Sequence, residues 1–166
     1  VVDVLFRAGI SADLLSISDS LEVTSSHGIH LRCDALASQV NLADYALMFL
    51  PGGMPGTLNL GASALVTDEV CRRSAAGQPL AAICAAPSIL AEHGALQARH
   101  ATANPAFVKA IAAGGATVHE NPVVVDEFII TSRGAGTALE LGLEIVRYLL
   151  GDEAVDEVAR GVVLAR

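Results

Sequence analysis

The sequence predicts an α/β domain built on a mostly parallel β-sheet with helices on both faces. Two observations carry this prediction. Short apolar runs with strand character alternate along the chain with helical segments, and hydrophobic residues make up 52% of the 166 residues. That composition can fill a sizeable core, whereas a disordered chain combines low hydrophobicity with a high charged fraction. The length fits one domain, residues 1–166.

The predicted helices are delimited by glycine and proline. Gly9 ends the opening helix, Gly77 and Gly151 end two later ones, and Pro87 stands in the first turn of another. The resulting helices cover residues 1–8, 64–76, 87–92, 136–150 and 153–160.

The predicted strands are short apolar runs bounded by turn residues. A polar turn at 25–28 separates two of them, and Asp126-Glu127 separates the last two. The runs at 46–50 and 80–83 are apolar throughout, which is typical of buried parallel strands. The strands cover residues 12–18, 21–24, 29–31, 46–50, 80–83, 117–118, 123–125 and 128–131.

The chain opens on a helix, whereas a doubly wound sheet normally begins with a strand that leads into its first helix. We therefore expect a strand upstream of Val1, so that the domain at 1–166 is incomplete at its N-terminus. Asp3 and Arg7 interrupt the opening apolar stretch, which argues against a secretory signal.

Charge and cysteine content narrow the function classes. The net charge of −8 repels phosphate backbones, so we expect no nucleic-acid partner. No apolar run is long enough to cross a membrane. Cys33, Cys71 and Cys84 show no paired spacing and no clustering with histidine, which argues against a disulfide framework and against a zinc site. We expect reduced thiols and a cytoplasmic location.

The segment 79–87, PLAAICAAP, places Cys84 where a buried strand runs into a helix. Its small neighbours permit a very tight turn, similar to the nucleophile turn of hydrolases with Cys in place of Ser. The start of the following helix favours a thiolate, and the Ala85 N–H is placed to hold an oxyanion. The alternative is that Cys84 is a small core residue, as most buried cysteines are.

The segment 50–56, LPGGMPG, ends the strand that precedes the Cys84 strand. Gly52 and Gly53 let the backbone approach a ligand closely and direct its N–H groups outward. Both strands end at the carboxyl edge of the sheet, where ligands bind in such folds. The alternative is an ordinary turn.

A third segment, ITSRGAGT at 130–137, also leads from a strand into a helix through glycines. It could cradle a phosphate, although the lysine-bearing P-loop spacing is absent. The alternative is a helix start whose N–H groups are capped by Thr131 or Ser132.

Taken together, these segments resemble the ThiJ/PfpI superfamily, nearest its DJ-one (Parkinsonism-associated deglycase) branch. The motifs LPGGMPG at 50–56, AAICAAP at 81–87 and IITSRGAGT at 129–137 stand in that family's order and spacing. DVLFRAGI at 3–10 and NPVVVD at 121–126 fit as well. The resemblance covers essentially the whole chain.

The resemblance implies a flavodoxin-like three-layer sandwich, a homodimer and no cofactor. It implies that Cys84 is the reactive cysteine and that Gly53 and Ala85 supply backbone N–H groups to its pocket. Arg7 matches an arginine near the pocket and dimer interface, and His27 lies in a turn where relatives place a basic pocket residue. The complete set of pocket positions is Gly52, Gly53, Ala85, Arg7, His27, Asn104, Thr131 and Arg133.

Three departures from the family pattern affect the chemistry. The glutamate that hydrogen-bonds the sulfur in the family would lie upstream of Val1. Asn104 stands where some members carry a histidine, and Asn cannot shuttle a proton near neutral pH. Ala85 stands where the peptidase branch has its histidine, which disfavours a Cys-His protease.

The resemblance implies an enzyme that acts on reactive dicarbonyls such as methylglyoxal, or on glycated protein or nucleotide. We expect residues 1–166 alone to have little activity without the upstream glutamate. The alternative is a redox-sensing holdase chaperone without turnover, because an accessible, activated cysteine also oxidises readily. We interpret His27, His30, His93, His100 and His119 as solvated or core histidines, since they lack ligand spacing.

Overall fold

A computed structural model describes residues 1–164 of the chain. The seven helices in this part are α1 Val2–Arg7, α2 Gly56–Ala62, α3 Ala64–Ala76, α4 Pro87–Glu92, α5 Val108–Ala113, α6 Ala138–Leu150 and α7 Asp152–Gly161. Its ten strands are β1 Leu15–Ser16, β2 Glu22–Thr24, β3 His30–Arg32, β4 Ala35–Leu36, β5 Met48–Leu50, β6 Leu80–Ile83, β7 His100–Ala101, β8 Thr117–Val118, β9 Val123–Asp126 and β10 Ile129–Ser132. Short 3-10 turns cover Ala37–Gln39, Leu42–Asp44 and Ala135–Thr137.

The central sheet has four strands in the order β5-β6-β10-β9. The strands β5, β6 and β10 are parallel, and β9 pairs with β10 in the antiparallel sense. Three two-stranded pairs complete the strand set: β1 with β4 and β7 with β8 are parallel, and β2 with β3 is an antiparallel hairpin. The predicted α/β class with a mostly parallel sheet is therefore confirmed.

The side chains of β6 alternate between two apolar clusters, one on each face of the sheet. Leu80 and Ala82 point into the cluster that α3, α4 and α5 cover, while Ala81 and Ile83 point into the cluster under α1, α6 and α7. All four side chains are buried. A strand covered on both faces in this way explains the uninterrupted apolar run at 80–83, and it gives the three layers of the sandwich.

The buried Arg73 on α3 fixes the segment that leads into β5. Its guanidinium donates to the Leu42 and Tyr45 carbonyls at 2.8 and 2.6 Å and forms an ion pair with Glu69 at 2.6 Å. Hydrogen bonds from Arg72 and Arg73 hold the pKa of the Glu69 carboxyl below its usual range, although burial acts in the opposite direction. The Arg73 side chain is only 1% exposed, and its charge is balanced by Glu69 while its N–H groups donate to backbone carbonyls.

Four predicted elements match the structure at both ends: α3, β6, α4 and β8. Two predicted strands are too long, since the run at 12–18 pairs only at Leu15–Ser16 and the run at 46–50 only at Met48–Leu50. The helix predicted at 136–150 begins at Ala138 after a 3-10 turn. No helix within residues 1–164 has both the length and the apolarity to span a membrane.

Candidate active site

Cys84 lies in the turn between β6 and α4, at the carboxyl end of an inner strand of the sheet. Its backbone has a φ of +65°, in the left-handed region that is unfavourable for a residue with a side chain. Such a conformation costs about 1–2 kcal/mol. The two small residues that follow leave room for it, because Ala85 and Ala86 are buried against the core without crowding the turn.

Two backbone hydrogen bonds hold this strained residue. The Cys84 N–H donates to the Ser132 carbonyl at the end of β10, and the Asn104 N–H donates to the Cys84 carbonyl, both at 2.9 Å. The residue is therefore pinned from two different segments of the chain. Strain of this kind persists only where the surroundings over-determine the conformation.

Gly52 packs directly against the Cys84 turn. A Cβ added to Gly52 would lie 2.6 Å from the Cys84 Cβ and 2.7 Å from the Ile83 carbonyl oxygen, both far inside van der Waals contact. Glycine is thus required here by space. The sequence interpretation was a close backbone approach to a ligand, which stays a prediction; in the structure Gly52 is packed against the Cys84 turn.

Two backbone N–H groups stand beside this turn without an acceptor. Neither the Gly53 N–H nor the Ala85 N–H donates a hydrogen bond within residues 1–164. Gly53 has a φ of +95°, and its carbonyl is engaged by Thr57. Free N–H groups near a nucleophile are the arrangement that stabilises a developing oxyanion. The helix α4 has only six residues, so its dipole contributes less than these local groups.

Comparison with known proteins shows which family contains this chain. The sequence profile of the DJ-1/PfpI family matches residues 1–148. The chain belongs to the DJ-1/PfpI family. The Drosophila melanogaster protein dj-1beta is 37% identical over 163 residues, which are 98% of this chain and 87% of that protein. The crystal structure of Drosophila DJ-1beta has a TM-score of 0.93 at 36% identity and covers 99% of this chain and 88% of its own.

Two further relatives carry informative names. The structure of Toxoplasma gondii DJ-1, oxidized, has a TM-score of 0.91 at 33% identity, with 99% of this chain and 89% of that chain covered. The Caenorhabditis elegans glutathione-independent glyoxalase DJR-1.2 is 29% identical over 164 residues, which are 99% of this chain and 87% of that protein. Both agree with the flavodoxin-like fold and the family expected from the motifs.

Among the other predicted pocket residues of this DJ-1/PfpI chain, Asn104 lies closest to the turn. Besides its backbone bond to Cys84, its side-chain oxygen accepts the Ala106 N–H at 3.1 Å. Its amide nitrogen lies 3.8 Å from the position that a Cβ on Gly134 would take. Asn104 therefore connects the Cys84 turn to the glycine segment after β10.

His27 lies in the exposed turn between β2 and β3, where its Nδ1 is 3.2 Å from the Ser26 Oγ. The same hydroxyl is 3.4 Å from the position of a Cβ on Gly53, which brings this turn next to the second glycine of the LPGGMPG motif. The sequence interpretation missed Ser26, because nothing in a polar turn separates one serine from the next.

Arg133, Thr131 and Arg7 make contacts that do not involve the Cys84 turn directly. The half-buried Arg133 donates to the Glu120 carbonyl at 3.1 Å. Thr131 is fully buried, and its Oγ1 accepts the Thr102 N–H at 3.0 Å. The exposed Arg7 forms an ion pair with Asp3 on its own helix at 2.8 Å.

Ser132 and Thr137 form a second group that sequence reasoning missed. The buried Ser132 Oγ lies 2.6 Å from the Thr137 Oγ1 and donates to the Pro122 carbonyl at 2.9 Å. The Thr137 Oγ1 in turn accepts the Gly134 N–H at 3.1 Å. The proposed capping by Thr131 or Ser132 is therefore wrong, since Thr137 takes that part. The signal was present as a second hydroxyl at the end of the ITSRGAGT motif.

The three thiols differ in their surroundings. Cys33 is buried, and burial, followed by the charges of Asp34 and Glu22, raises the pKa of its thiol. Cys71 is exposed on α3, with its Sγ 3.9 Å from the His93 Nδ1. Within residues 1–164, no group of three or more His, Cys, Asp or Glu side chains is placed to hold a metal ion.

Proposed function

We propose that this chain is a cofactor-independent, cysteine-dependent enzyme of the glyoxalase or deglycase type that acts on reactive dicarbonyls or on glycated substrates. The observation that carries the proposal is the strained turn that presents Cys84 beside two N–H groups without acceptors. A family relative named as a glutathione-independent glyoxalase supports the substrate class.

In the first step the Cys84 thiolate adds to the aldehyde carbon of a substrate such as methylglyoxal. A C–S bond forms, and the π electron pair of the carbonyl moves to its oxygen. That oxygen becomes an anion and then takes a proton, giving a hemithioacetal. The Gly53 and Ala85 N–H groups are placed to donate to the anion.

In the second step a proton moves from the aldehyde carbon to the neighbouring ketone carbon through an enediol. The first carbon is oxidised by two electrons and the second is reduced by two, so no external redox partner is needed. Water then cleaves the C–S bond of the resulting thioester, which releases lactate and restores the thiolate. This proton transfer requires a general acid–base group close to the adduct.

The proposal is tested by measuring lactate formation from methylglyoxal on the native protein and on two variants. Cys84→Ser should lower kcat/KM by more than about 10²-fold, because the nucleophile is lost. Cys71→Ser is the matched control, since it removes an exposed thiol on α3 and should leave the rate unchanged. Equal rates for the two variants would show that Cys84 is not the nucleophile.

A second function, redox sensing coupled to holdase activity, uses the same residue. The partial exposure of Cys84 and the oxidized state named for the Toxoplasma relative support it. Under this alternative the protein consumes no methylglyoxal, whereas two equivalents of peroxide convert Cys84 through a sulfenic acid to a sulfinic acid that mass spectrometry detects. Turnover of methylglyoxal by the native protein excludes it as the sole function.

We also propose that the protein acts as a homodimer. Exposed apolar side chains on α1 and on the β2–β3 hairpin, among them Phe6, Ile29 and Leu31, support a contact between copies. Light scattering at micromolar concentration should give twice the chain mass, and a monomer mass would contradict the proposal.

A further inference from the structure

His100 and His119 form a side-chain pair that the Cys84 chemistry does not use. The His100 Nδ1 lies 2.6 Å from the His119 Nε2, and the ring centroids are 4.8 Å apart at an angle of 45°. At this distance one nitrogen carries a proton and the other accepts it. Two imidazole nitrogens thus converge on one point, although 19 residues separate them in sequence.

The backbone holds both histidines in place. The His119 N–H donates to the Ala101 carbonyl at 2.9 Å, and the His119 carbonyl accepts the Thr102 hydroxyl at 2.7 Å. The His100 N–H donates to the Asp126 carboxylate at 2.6 Å. The parallel pairing of β7 with β8 therefore fixes the separation of the two side chains before any ligand arrives.

The spacing is close to that of two imidazoles on one metal ion. Metal–nitrogen bonds of about 2.0–2.1 Å place two neighbouring ligand nitrogens about 2.9 Å apart in the square-planar or tetragonal site that Cu²⁺ prefers. Small side-chain rotations that move each ring nitrogen by a few tenths of an ångström would give that separation. The metal ion would take the place of the shared proton, since both are bound by the same lone pairs.

The pair also has room for further ligands. It borders a shallow, open surface depression of about 300 Å³ that Asn121 and the strand residues Val123, Val124 and Val125 also line. The exposed Asn121 makes no hydrogen bond within residues 1–164 and lies at the rim of the same depression. Solvent can fill the remaining coordination positions.

We propose that His100 and His119 form a binding site for a divalent transition-metal ion, with Cu²⁺ bound most tightly. Imidazole nitrogens suit Cu²⁺, Ni²⁺ and Zn²⁺, and of these Cu²⁺ binds a given nitrogen site most strongly. The hard cations Mg²⁺ and Ca²⁺ prefer oxygen ligands and should not bind here. The proposal does not depend on the function proposed for Cys84.

Cysteine thiols bind the same metal ions, so the experiment must distinguish metal binding by the two histidines from metal binding by the three cysteines. The full chain is first alkylated with iodoacetamide and then titrated with Cu²⁺ alone, followed by calorimetry and electron paramagnetic resonance. We expect one Cu²⁺ per chain and hyperfine structure from two nitrogens. Mg²⁺ in the same titration should give no heat.

His119→Gln should weaken Cu²⁺ binding by more than about tenfold, as loss of metal-site groups commonly does, and should remove one nitrogen from the spectrum. His100→Gln should do the same. His30→Gln is the matched control, because His30 is another exposed histidine paired with a neighbour, the Thr24 hydroxyl at 3.1 Å. Far-ultraviolet circular dichroism checks the fold of each variant. Equal Cu²⁺ affinity of the wild type and both pair variants, or no binding by the alkylated chain, would overturn the proposal.

Discussion

The Cys84 turn and the His100–His119 pair are two small constellations held by opposite kinds of constraint. The turn has no free space: Gly52 touches it, and two backbone bonds pin a residue with a φ of +65°. The histidine pair has fixed backbones, and its rings border a shallow surface depression. A segment of β7 and the loop after it, from His100 to Asn104, connects the two regions.

Under the two proposals, one fold would serve two chemistries. A nucleophile must be presented in one orientation, so tight packing around its backbone is useful. A pair of ligands must adjust to an incoming ion, so packing is better confined to the backbone while the rings stay free. Substitutions should therefore affect the first region through sterics and the second through ligand number.

Gly52→Ala should have the largest effect, because its methyl group would overlap the Cys84 Cβ and the Ile83 carbonyl. We expect a loss of about 1–3 kcal/mol in the free energy of unfolding. Displacement of the nucleophile by about 1 Å should lower methylglyoxal turnover by about 10²-fold. Urea denaturation and lactate assays measure the two effects.

Gly56→Ala is the control for Gly52→Ala. It lies in the same motif at the start of α2, but no atom lies within 4 Å of an added Cβ. Alanine also favours the helix, so stability should be unchanged or slightly higher. If the two alanine variants behave alike, the turn has more space than its geometry indicates.

The same contrast explains how much of each region could be predicted from the sequence. The Cys84 turn is encoded locally, because a buried run, small residues and Pro87 follow one another, and Gly77 ends α3 with a φ of +64°. Its position, the neighbouring glycines and the three-layer fold were all predictable. The interactions that pin the turn were not, because they come from backbone atoms of Ser132 and Asn104 far along the chain.

Other elements escaped prediction because their stability comes from tertiary packing. The helix α2, GTLNLGA, has poor intrinsic propensity, and it forms where Leu60 packs on the core and Thr57 bonds to Gly53. The strand β7 has two residues and no periodicity that could be detected, whereas β8, also of two residues, was predicted at its observed bounds. Without their pairing, His100 and His119 are two unrelated histidines in the sequence.

Thr131→Val should have the next largest effect and tests the connection between the regions. Its hydroxyl accepts the N–H of the fully buried Thr102, which stands between His100 and Asn104. Leaving that N–H unpaired should cost about 1–3 kcal/mol. Thr131→Ser keeps the hydroxyl and loses one methyl group, so its cost should be about 1 kcal/mol. Chemical denaturation of the pair of variants measures the difference, and a smaller loss for Val than for Ser would show that this hydrogen bond is unimportant.

The thiols should differ by about tenfold or more in their rate of alkylation, with Cys84 fastest and Cys33 slowest. Burial raises the pKa of the Cys33 thiol, so its thiolate forms at a higher pH than that of an ordinary thiol. Its labelling should accordingly stay slow at neutral pH and accelerate in alkaline buffer. Iodoacetamide labelling of the native protein with peptide mapping gives the three rates. Faster modification of Cys71 than of Cys84 would mean that exposure, rather than the turn, decides reactivity.

The smallest effect should come from His119→Gln in the presence of a chelator. The pair lies at the surface, and a glutamine amide can still hydrogen-bond His100, so the free energy of unfolding should change by no more than about 0.5 kcal/mol. Cu²⁺ added to alkylated protein should then separate the variant from the wild type. A ligand at 100 times its dissociation constant stabilises the folded state by about 2.7 kcal/mol, and a variant that has lost the site gains much less at the same concentration. Thermal unfolding with and without Cu²⁺ measures both quantities. A loss well above 1 kcal/mol in chelator would show that the histidines act as a structural tie, and the contrast with the Cys84 turn would then fail.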